Sequence, residues 1–281
     1  YRTVGDEHRE AISLLNLSAV AEQRGEIGEA VDRAAAAREI SERIGSDMYE
    51  GFALSHLGSA AHLAGDLDRA ERFLTAALDL FDALDADARC AMTTAILAEA
   101  ALDRGDLSEA ERRAERTASL LDDHAGRKRL AELDRVRGRL ALARGDGDAA
   151  AAALESAVES AREGGFTGVE ARALASLGAA AAERGDAGEA ADRLTAALDL
   201  GRRIEGARAI VSAADRLADL LAGSAAGSGS IDRETLVGAL REAPPDAVTP
   251  GASAEPAAYR EIADRWRVDG EGVAATYPPI G

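Results

Sequence analysis

A glycine followed by an acidic residue returns every forty residues along the first two hundred residues of this chain. The five glycines are Gly25, Gly65, Gly105, Gly145 and Gly185, and each precedes a Glu or an Asp. The five copies stay in register without an insertion. Repetition at a fixed period of about 20 to 50 residues is typical of solenoids, in which each repeat contacts only its neighbours. The sequence therefore predicts one elongated array of repeats.

Each repeat contains two stretches in which apolar residues recur with the period of an α-helix. The first helices are predicted at residues 7–24, 47–64, 87–104, 127–144 and 167–184, with a sixth at 207–222. The second helices are predicted at residues 27–44, 67–84, 107–122, 147–164 and 187–204. Ala, Leu, Arg, Glu and Asp dominate the composition and aromatic residues make up 3% of the chain, which favours helix over strand. The predicted fold class is all-α, with about five to six stacked helix hairpins.

Three positions in every repeat have a predicted structural role. A small residue at positions 18, 58, 98, 138 and 178 is expected to let the second helix approach closely. The turn glycine is expected to adopt a left-handed conformation, and the acidic residue after it is expected to cap the second helix. The Arg-Gly-Asp tripeptides that begin at positions 104, 144 and 184 are therefore interpreted as turns and not as cell-adhesion motifs.

The spacing of these positions resembles the tetratricopeptide repeat. A small residue follows Leu, Gly comes seven residues later, Ala five residues after that, and a second Ala after seven more. The resemblance covers residues 5–222, and the long period is similar to the variants in kinesin light chains and in the sensor arms of regulatory ATPases and transcription activators. It implies a right-handed superhelical solenoid whose concave face, formed by the first helices, binds peptides or protein segments.

The concave-face positions of this family can be transferred to the chain repeat by repeat. The candidate partner-binding residues that the resemblance implies are Phe52, His62, Met92, Arg135, Arg139 and Arg172. One subgroup of the family holds a C-terminal carboxylate with lysines and asparagines on this face. That set is absent from the corresponding positions here, which argues against binding of such a chain end.

The fourth repeat departs most from the pattern, because Asp134 and Arg137 occupy positions that are apolar in other repeats. One hypothesis is that Arg135 and Arg139, one helical turn apart, bind an acidic segment of a partner, since arginine binds carboxylates bidentately. The alternative is that the helix is shifted by one residue, so that three apolar side chains pack inside while the charges face water. These three are Leu133, Val136 and Leu140.

Charge and cysteine content limit the classes of partner. The net charge is −18, and Lys128 is the only lysine, so nucleic acid is a poor partner because its binding needs a basic face. Cys90 is the only cysteine, which leaves no internal disulfide and fits a reducing compartment. No apolar run approaches the roughly 18 residues of a membrane span, and no signal peptide is visible, so a cytoplasmic location is expected. The acidity resembles the residue usage of extreme halophiles, although a GC-rich genome also favours arginine over lysine.

The sequence contains no arrangement that is typical of an enzyme or a metal site. His56 and His62 lie six residues apart and so lack the i, i+4 spacing of a zinc helix. Asp82, Asp85 and Asp87 lack the glycine and the distal glutamate of a calcium loop. We therefore expect no cofactor and no catalysis, and interpret the chain as a protein-interaction scaffold, a sensor or docking arm of a larger regulatory or signalling protein. The alternative is a receptor arm for a peptide or small ligand whose superhelix changes pitch on binding.

Composition divides the chain into three parts. Residues 1–243 are expected to form the solenoid, residues 244–256 a linker rich in Pro, Ala and Ser, and residues 257–281 a capping helix with a tail. Residues 1–6 align with residues 41–46, at the end of a second helix. The chain is accordingly interpreted as a fragment of a longer array.

Overall fold

The computed structural model of the chain describes residues 7–121, 126–204 and 213. Within these ranges the residues form ten α-helices and no strand. The hairpins are α1 (Glu7–Arg24) with α2 (Ile27–Ile44), α3 (Asp47–Leu63) with α4 (Leu67–Ala83), α5 (Asp87–Arg104) with α6 (Leu107–Ser119), α7 (Arg127–Ala143) with α8 (Gly147–Glu163), and α9 (Thr167–Glu183) with α10 (Ala187–Arg203). None of these helices combines the length and the apolar character that crossing a membrane requires.

The predicted helices are confirmed over the described ranges. All ten helices begin where predicted, nine of them end at the predicted residue or one residue before it, and α6 ends three residues early. The predicted sixth first helix lies outside the described residues except for Ala213, which is helical and buried. The predicted linker, the capping helix and the tail also lie outside them.

Successive helices pack against one another along the whole array, as a solenoid of helix hairpins requires. Each odd-numbered helix packs on the even-numbered helix that follows it, and each even-numbered helix packs on the next odd-numbered one. Odd-numbered helices also contact the next odd-numbered helix, although α3 and α5 touch over a smaller area than the other pairs. The odd-numbered helices therefore form a continuous inner layer, and the all-α solenoid is confirmed.

The hairpin turns are built from glycine and an acidic residue, as predicted. The turn glycines have φ between 75° and 81°, in the left-handed region that glycine adopts at little cost. In four turns the aspartate carboxylate accepts the N–H of the residue three positions later at 2.9–3.0 Å. Glu26 makes no such bond, so the predicted cap is wrong at the first turn. The longer Glu side chain is not a favoured N-cap, whereas Asp is.

Helix α7 stays in register with the other first helices, so the hypothesis of a one-residue shift is wrong. A Cβ atom on Gly138 would lie 2.4 Å from Leu154 Cγ, and the equivalent glycines of α3 and α9 meet a leucine in the same way. The three apolar side chains named in that hypothesis are buried without any shift. Arg135 is buried beside them, so the charges of α7 do not all face water.

Candidate functional site

A cavity of about 630 Å³ lies on the inner layer of the array. All five odd-numbered helices contribute side chains to its wall, with additions from α4, α6 and Ile204. We call this cavity the inner groove. Its lining includes Glu22, Phe52, Arg89, Met92, Ile96, Lys128, Arg129, Glu132 and Arg172. Of the six predicted partner-binding residues, Phe52, Met92 and Arg172 line the groove, whereas the other three do not.

The middle of the groove presents apolar side chains. Phe52 packs against Phe81 with ring centroids 5.5 Å apart, and Ile96 packs on the same core cluster. The guanidinium of Arg89 lies over the Phe52 ring, 4.6 Å from its centroid, and donates an N–H to the sulfur of Met92 at 4.0 Å. This part of the groove therefore offers an apolar surface beside an exposed cation.

Polar and charged side chains of four successive inner helices form one connected network along the groove. At its first end, His62 Nε2 of α3 lies 2.7 Å from Asp103 Oδ2 of α5. Arg139 of α7 donates to the other oxygen of Asp103 at 2.7 Å, and a second Arg139 nitrogen lies 3.7 Å from Glu99. His62 Nδ1 is buried and makes no hydrogen bond within the described ranges.

The network continues through a buried arginine to the last inner helix. Arg135 contacts Glu99 directly and lies 3.0 Å from Glu132 of its own helix. Glu132 in turn contacts Arg172 of α9. The Arg135 side chain is 3% exposed, so its charge is compensated almost entirely by these two carboxylates. The inner helices are thus connected from α3 to α9 by hydrogen bonds and ion pairs.

Electrostatic interactions in this network shift several pKa values. Burial raises the pKa of Asp103, but its hydrogen bonds and ion pairs with His62 and Arg139 outweigh burial and lower the pKa to about 2. Burial also opposes ionisation of Glu132, and the charges of Arg172 and Arg135 overcome it and lower the pKa. Burial lowers the pKa of Arg135, yet Glu99 and Glu132 raise it further than burial lowers it. These three groups are therefore ionised at neutral pH.

The structure gives the predicted arginine pair internal partners. The guanidinium of Arg135 is held by Glu99 and Glu132, and that of Arg139 by Asp103 and Glu99. His62 is buried against Asp103. Partner binding by these residues stays a prediction, and it would require a partner carboxylate to displace an existing internal one. Among the described residues, no three His, Cys, Asp or Glu side chains are grouped so that they could hold a metal ion.

Opposite charges 36 residues apart are the signal that would have revealed two contacts of this network in the sequence. The pairs Glu99–Arg135 and Asp103–Arg139 share this separation, which is one repeat minus one helical turn. Each of these arginines therefore meets an acid located one helical turn beyond the equivalent position in the preceding inner helix. The concave-face positions of the family assign Arg135 and Arg139 to the inner layer. They do not show that acids of the preceding inner helix already pair with these arginines.

Three cations at the groove were not among the predicted partner-binding residues. Arg89 lies in the first turn of α5, and Lys128 and Arg129 lie in the first turn of α7. None of the three forms an ion pair with a residue in the described ranges. The basic run at residues 127–129 is visible in the sequence, but only the packing of the helices shows that part of it lines the groove.

A hydrogen bond joins the first and the last described hairpins. Gln23 Nε2, at the end of α1, donates to the carbonyl oxygen of Ile204, which follows α10, at 3.0 Å. Both residues line the inner groove. The five hairpins therefore curve far enough for their two ends to meet beside the groove.

Comparison with known protein families identifies the repeats. The sequence model of the tetratricopeptide repeat matches residues 51–74, 91–116 and 131–156. Each segment begins in an odd-numbered helix and ends in the even-numbered helix after it, and the starts are forty residues apart. This chain contains tetratricopeptide repeats. The resemblance derived from the sequence is thereby confirmed, with a period longer than usual for such repeats.

Solved structures with a similar arrangement include BtubC (BKLC) of P. vanneervenii, which is 17% identical. The match covers 74% of this chain and 93% of that chain, with a TM-score of 0.44. A putative kinesin light chain of Podosopora anserina with nearly identical TPR-like repeats is 20% identical, over 69% of this chain and 93% of that chain, with a TM-score of 0.45. A variant of that protein is 19% identical, over 71% of this chain and 96% of the variant, with a TM-score of 0.47. A search of curated proteins finds no match.

Proposed function

We propose that this chain is a non-catalytic scaffold that binds a segment of a partner protein in the inner groove. The observation that supports this function best is the groove itself, which draws side chains from all five inner helices. A binding surface shared by successive repeats suits an extended segment, because each repeat can contact a different part of it. Arrays of tetratricopeptide repeats typically bind proteins or peptides.

The composition of the groove supports recognition of a peptide. Phe52, Met92 and Ile96 provide apolar surface for an anchoring side chain, and charged residues around them can orient the rest of the segment. The hydrogen bonds and ion pairs that connect α3, α5, α7 and α9 join the helices that carry these side chains before a partner arrives. Such preorganisation favours binding because less conformational entropy is lost on association.

The proposal also places the chain within a larger regulatory or signalling protein, as a docking or sensor arm. Leu17 of α1 is 51% exposed, whereas Leu57, Leu97 and Leu177 at the equivalent position are buried between hairpins. The exposed face of α1 is thus suited to stack on the second helix of a further hairpin. In the parent polypeptide, backbone amides around Leu17 should exchange with deuterium more slowly than in the isolated chain. Equal exchange rates would contradict this part of the proposal.

A random peptide display library tests the binding function. We expect the immobilised chain to enrich peptides that a Ser55→Trp variant does not retain, because the indole would fill the groove. Thr75→Trp is the matched control, since Thr75 is also half-buried but lies on the outer surface of α4. Circular dichroism would check that both variants fold. Failure to enrich any peptide, or equal retention by Ser55→Trp, would contradict the proposed function.

A second candidate function is a receptor arm for a small ligand. The groove volume of about 630 Å³ lies within the range of about 300 to 1,000 Å³ that small-molecule sites occupy. The hydrogen bond between Gln23 and Ile204 joins the two ends of the array. A ligand that widens the groove would break this bond and so change the curvature of the array. Under this alternative, a metabolite panel should produce ligands that raise the melting temperature and increase the radius of gyration measured by small-angle X-ray scattering. A panel without such ligands would count against it.

A further inference from the structure

Two of the three carboxylates that line the inner groove have arginine partners. Glu132 contacts Arg172, and Glu99 contacts Arg135. Their negative charge is therefore compensated within the protein, whereas Glu22 is hydrogen-bonded to His56 Nδ1 at 2.5 Å. This balance is notable in a chain whose net charge is −18.

Three cations at the groove have no acidic partner within the described ranges. Lys128 and Arg129 on α7 and Arg89 on α5 line the groove and form no ion pair within the described ranges. Lys128 is the only lysine of the chain. Among the described residues of the groove, three cations without an ion pair outnumber the one carboxylate without an arginine partner, Glu22, so the remaining charge is positive although the protein as a whole is strongly acidic.

Apolar surface lies beside these cations in the same groove. Arg89 stacks on Phe52, with its guanidinium carbon 4.6 Å from the ring centroid, and Met92 and Ile96 continue the apolar wall. Stacking on the ring leaves guanidinium edges available as donors, and guanidinium donors match a carboxylate geometrically. A ligand that fills this part of the groove would therefore meet apolar surface and uncompensated positive charge together.

We propose that the inner groove selects an acidic peptide segment, in which Asp or Glu carboxylates bind Arg89, Lys128 and Arg129. An aliphatic or aromatic side chain next to the carboxylates packs on Phe52, Met92 and Ile96. This assignment rests on the proposed function and specifies the chemistry of the partner. It assigns the acid-binding role to cations that have no internal carboxylate within the described ranges, in place of the predicted pair Arg135 and Arg139.

The net charge of the protein confines the electrostatic attraction of an acidic ligand to the groove. Because the protein and an acidic ligand carry charge of the same sign, the long-range interaction is repulsive, and attraction comes only from short-range contacts in the groove. Salt screens exposed pairs over a Debye length of about 8 Å at physiological ionic strength. The short-range contacts with Lys128 and Arg129, both at the solvent-accessible edge, are then the ones that charge reversal should remove.

Peptides enriched from the random display library provide the first test. The expected result is an excess of Asp and Glu beside an apolar residue, relative to the unselected library. Enrichment of neutral or basic peptides would overturn the acidic assignment and leave the scaffold function intact. An absence of enriched peptides would overturn both. The two failures are therefore distinguishable.

Charge-reversal variants provide the second test, with fluorescence anisotropy of an enriched peptide as the readout. Lys128→Glu/Arg129→Glu should weaken binding by about tenfold or more, since attractive contacts become repulsive. Arg69→Glu/Arg72→Glu on the outer helix α4 changes the net charge by the same amount and should leave affinity within about twofold. Equal losses in the two variants would show a general charge effect and would overturn the proposal.

Changes in the peptide distinguish carboxylate from phosphate recognition. Replacing its Glu residues by Gln should weaken binding to the unaltered chain by about tenfold, and replacement by Lys should weaken it further. If a version with phosphoserine at these positions binds more than about tenfold more tightly than the Glu version, the groove is a phosphopeptide site and the carboxylate assignment is wrong.

Discussion

Gly58 of α3 lies directly against Leu74 of α4, so that a Cβ atom on Gly58 would be 2.5 Å from Leu74 Cγ. The fourth and fifth hairpins repeat this arrangement with the pairs Gly138–Leu154 and Gly178–Leu194. In the other two hairpins the first position is Ser18 or Ala98, and the second position is Ala34 or Ala114. A larger residue on one helix is therefore matched by a smaller one on the other, and the two positions act as a single packing unit.

This matching predicts the result of a double-mutant cycle. Gly58→Ala should lower the free energy of unfolding by about 1–3 kcal/mol, because the added methyl group overpacks the contact with Leu74. Leu74→Ala alone should cost about 2–5 kcal/mol by leaving a cavity. The double variant reproduces the Ala–Ala pair of the third hairpin and should cost less than the sum of the two single changes. Urea unfolding followed by circular dichroism measures all three values.

Gly188→Ala is the control for this cycle. Gly188 is also in a helix, but the atom nearest to an added methyl group would be Asp186 Oδ1 at 3.7 Å, so the methyl group has room. Alanine is the better helix former by about 1 kcal/mol, and this variant should be neutral or more stable than the parent chain. If Gly58→Ala proves as harmless as Gly188→Ala, the close contact between α3 and α4 is not present in solution.

The repeats explain why most of the fold could be predicted. Gly65 and Asp66 recur in equivalent form in the other repeats, and each recurrence restricts where helices can begin and end. The predicted helix ends are consequently accurate to a residue or so, apart from α6. Glu26 shows the limit of this reasoning, because the acidic character of the position recurs but the hydrogen bond depends on side-chain length.

Repeat positions predict which side chains lie on the inner layer, but they do not predict which of the charged ones are paired. Repeat positions assign residues such as Phe52 and Met92 to the inner layer, and the structure places both in the groove. The same positions cannot show whether an inward charge is compensated by a neighbour. Arg135 is compensated by Glu99 of the preceding inner helix, whereas Lys128 has no such partner within the described ranges. Compensation depends on contacts between repeats, which the period alone does not reveal.

The buried pair of Glu99 and Arg135 should be expensive to break on one side. Arg135→Met leaves Glu99 buried without its main partner, and removal of one member of a buried pair costs about 3–5 kcal/mol. Glu99→Leu/Arg135→Met replaces both charges by apolar side chains and should cost clearly less than Arg135→Met alone. Chemical unfolding of the three proteins at pH 7 gives the comparison.

Arg137→Met provides the matched control on the same helix. Arg137 is exposed and its nearest carboxylate oxygen, on Asp134, is 3.6 Å away, so its loss should cost less than about 1 kcal/mol. A double variant as unstable as Arg135→Met would show that the network stabilises the fold through more than mutual compensation of this pair.

Asp103 should make part of the stability depend on pH. Burial raises its pKa, but the interactions with His62 and Arg139 outweigh burial and lower the pKa to about 2 from its ordinary value of 3.8. The carboxylate therefore contributes stability above about pH 4, and this contribution is lost as the pH falls through about 2. Asp103→Asn should thus be less stable than the parent chain at pH 6, and the difference should shrink steadily below pH 4.

Urea unfolding of both proteins between pH 2 and pH 6 measures this difference. Because the many other acids of the chain titrate in both proteins, the difference between the two unfolding free energies isolates Asp103. Asp68→Asn is the control, since Asp68 lies mostly in solvent beside Arg104, and its effect should be small at every pH. A constant gap between Asp103→Asn and the parent chain would contradict the lowered pKa.

The first turn of α2 offers a direct test of the capping argument. In the other four hairpins an aspartate carboxylate accepts an N–H from the second helix, as Asp106 does from Glu109 at 2.9 Å, whereas Glu26 makes no such bond. Asp106→Ala should therefore cost about 1 kcal/mol, and Glu26→Ala should cost much less. Glu26→Asp should stabilise the chain, because the shorter carboxylate can accept the N–H of Glu29 that now has no side-chain acceptor at the cap.

Thermal unfolding followed by circular dichroism should rank Glu26→Asp above the parent chain and Asp106→Ala below it. A loss on Glu26→Ala equal to that on Asp106→Ala would mean that the two acids act through the helix dipole and not through a hydrogen bond, since only the dipole interaction is common to both turns.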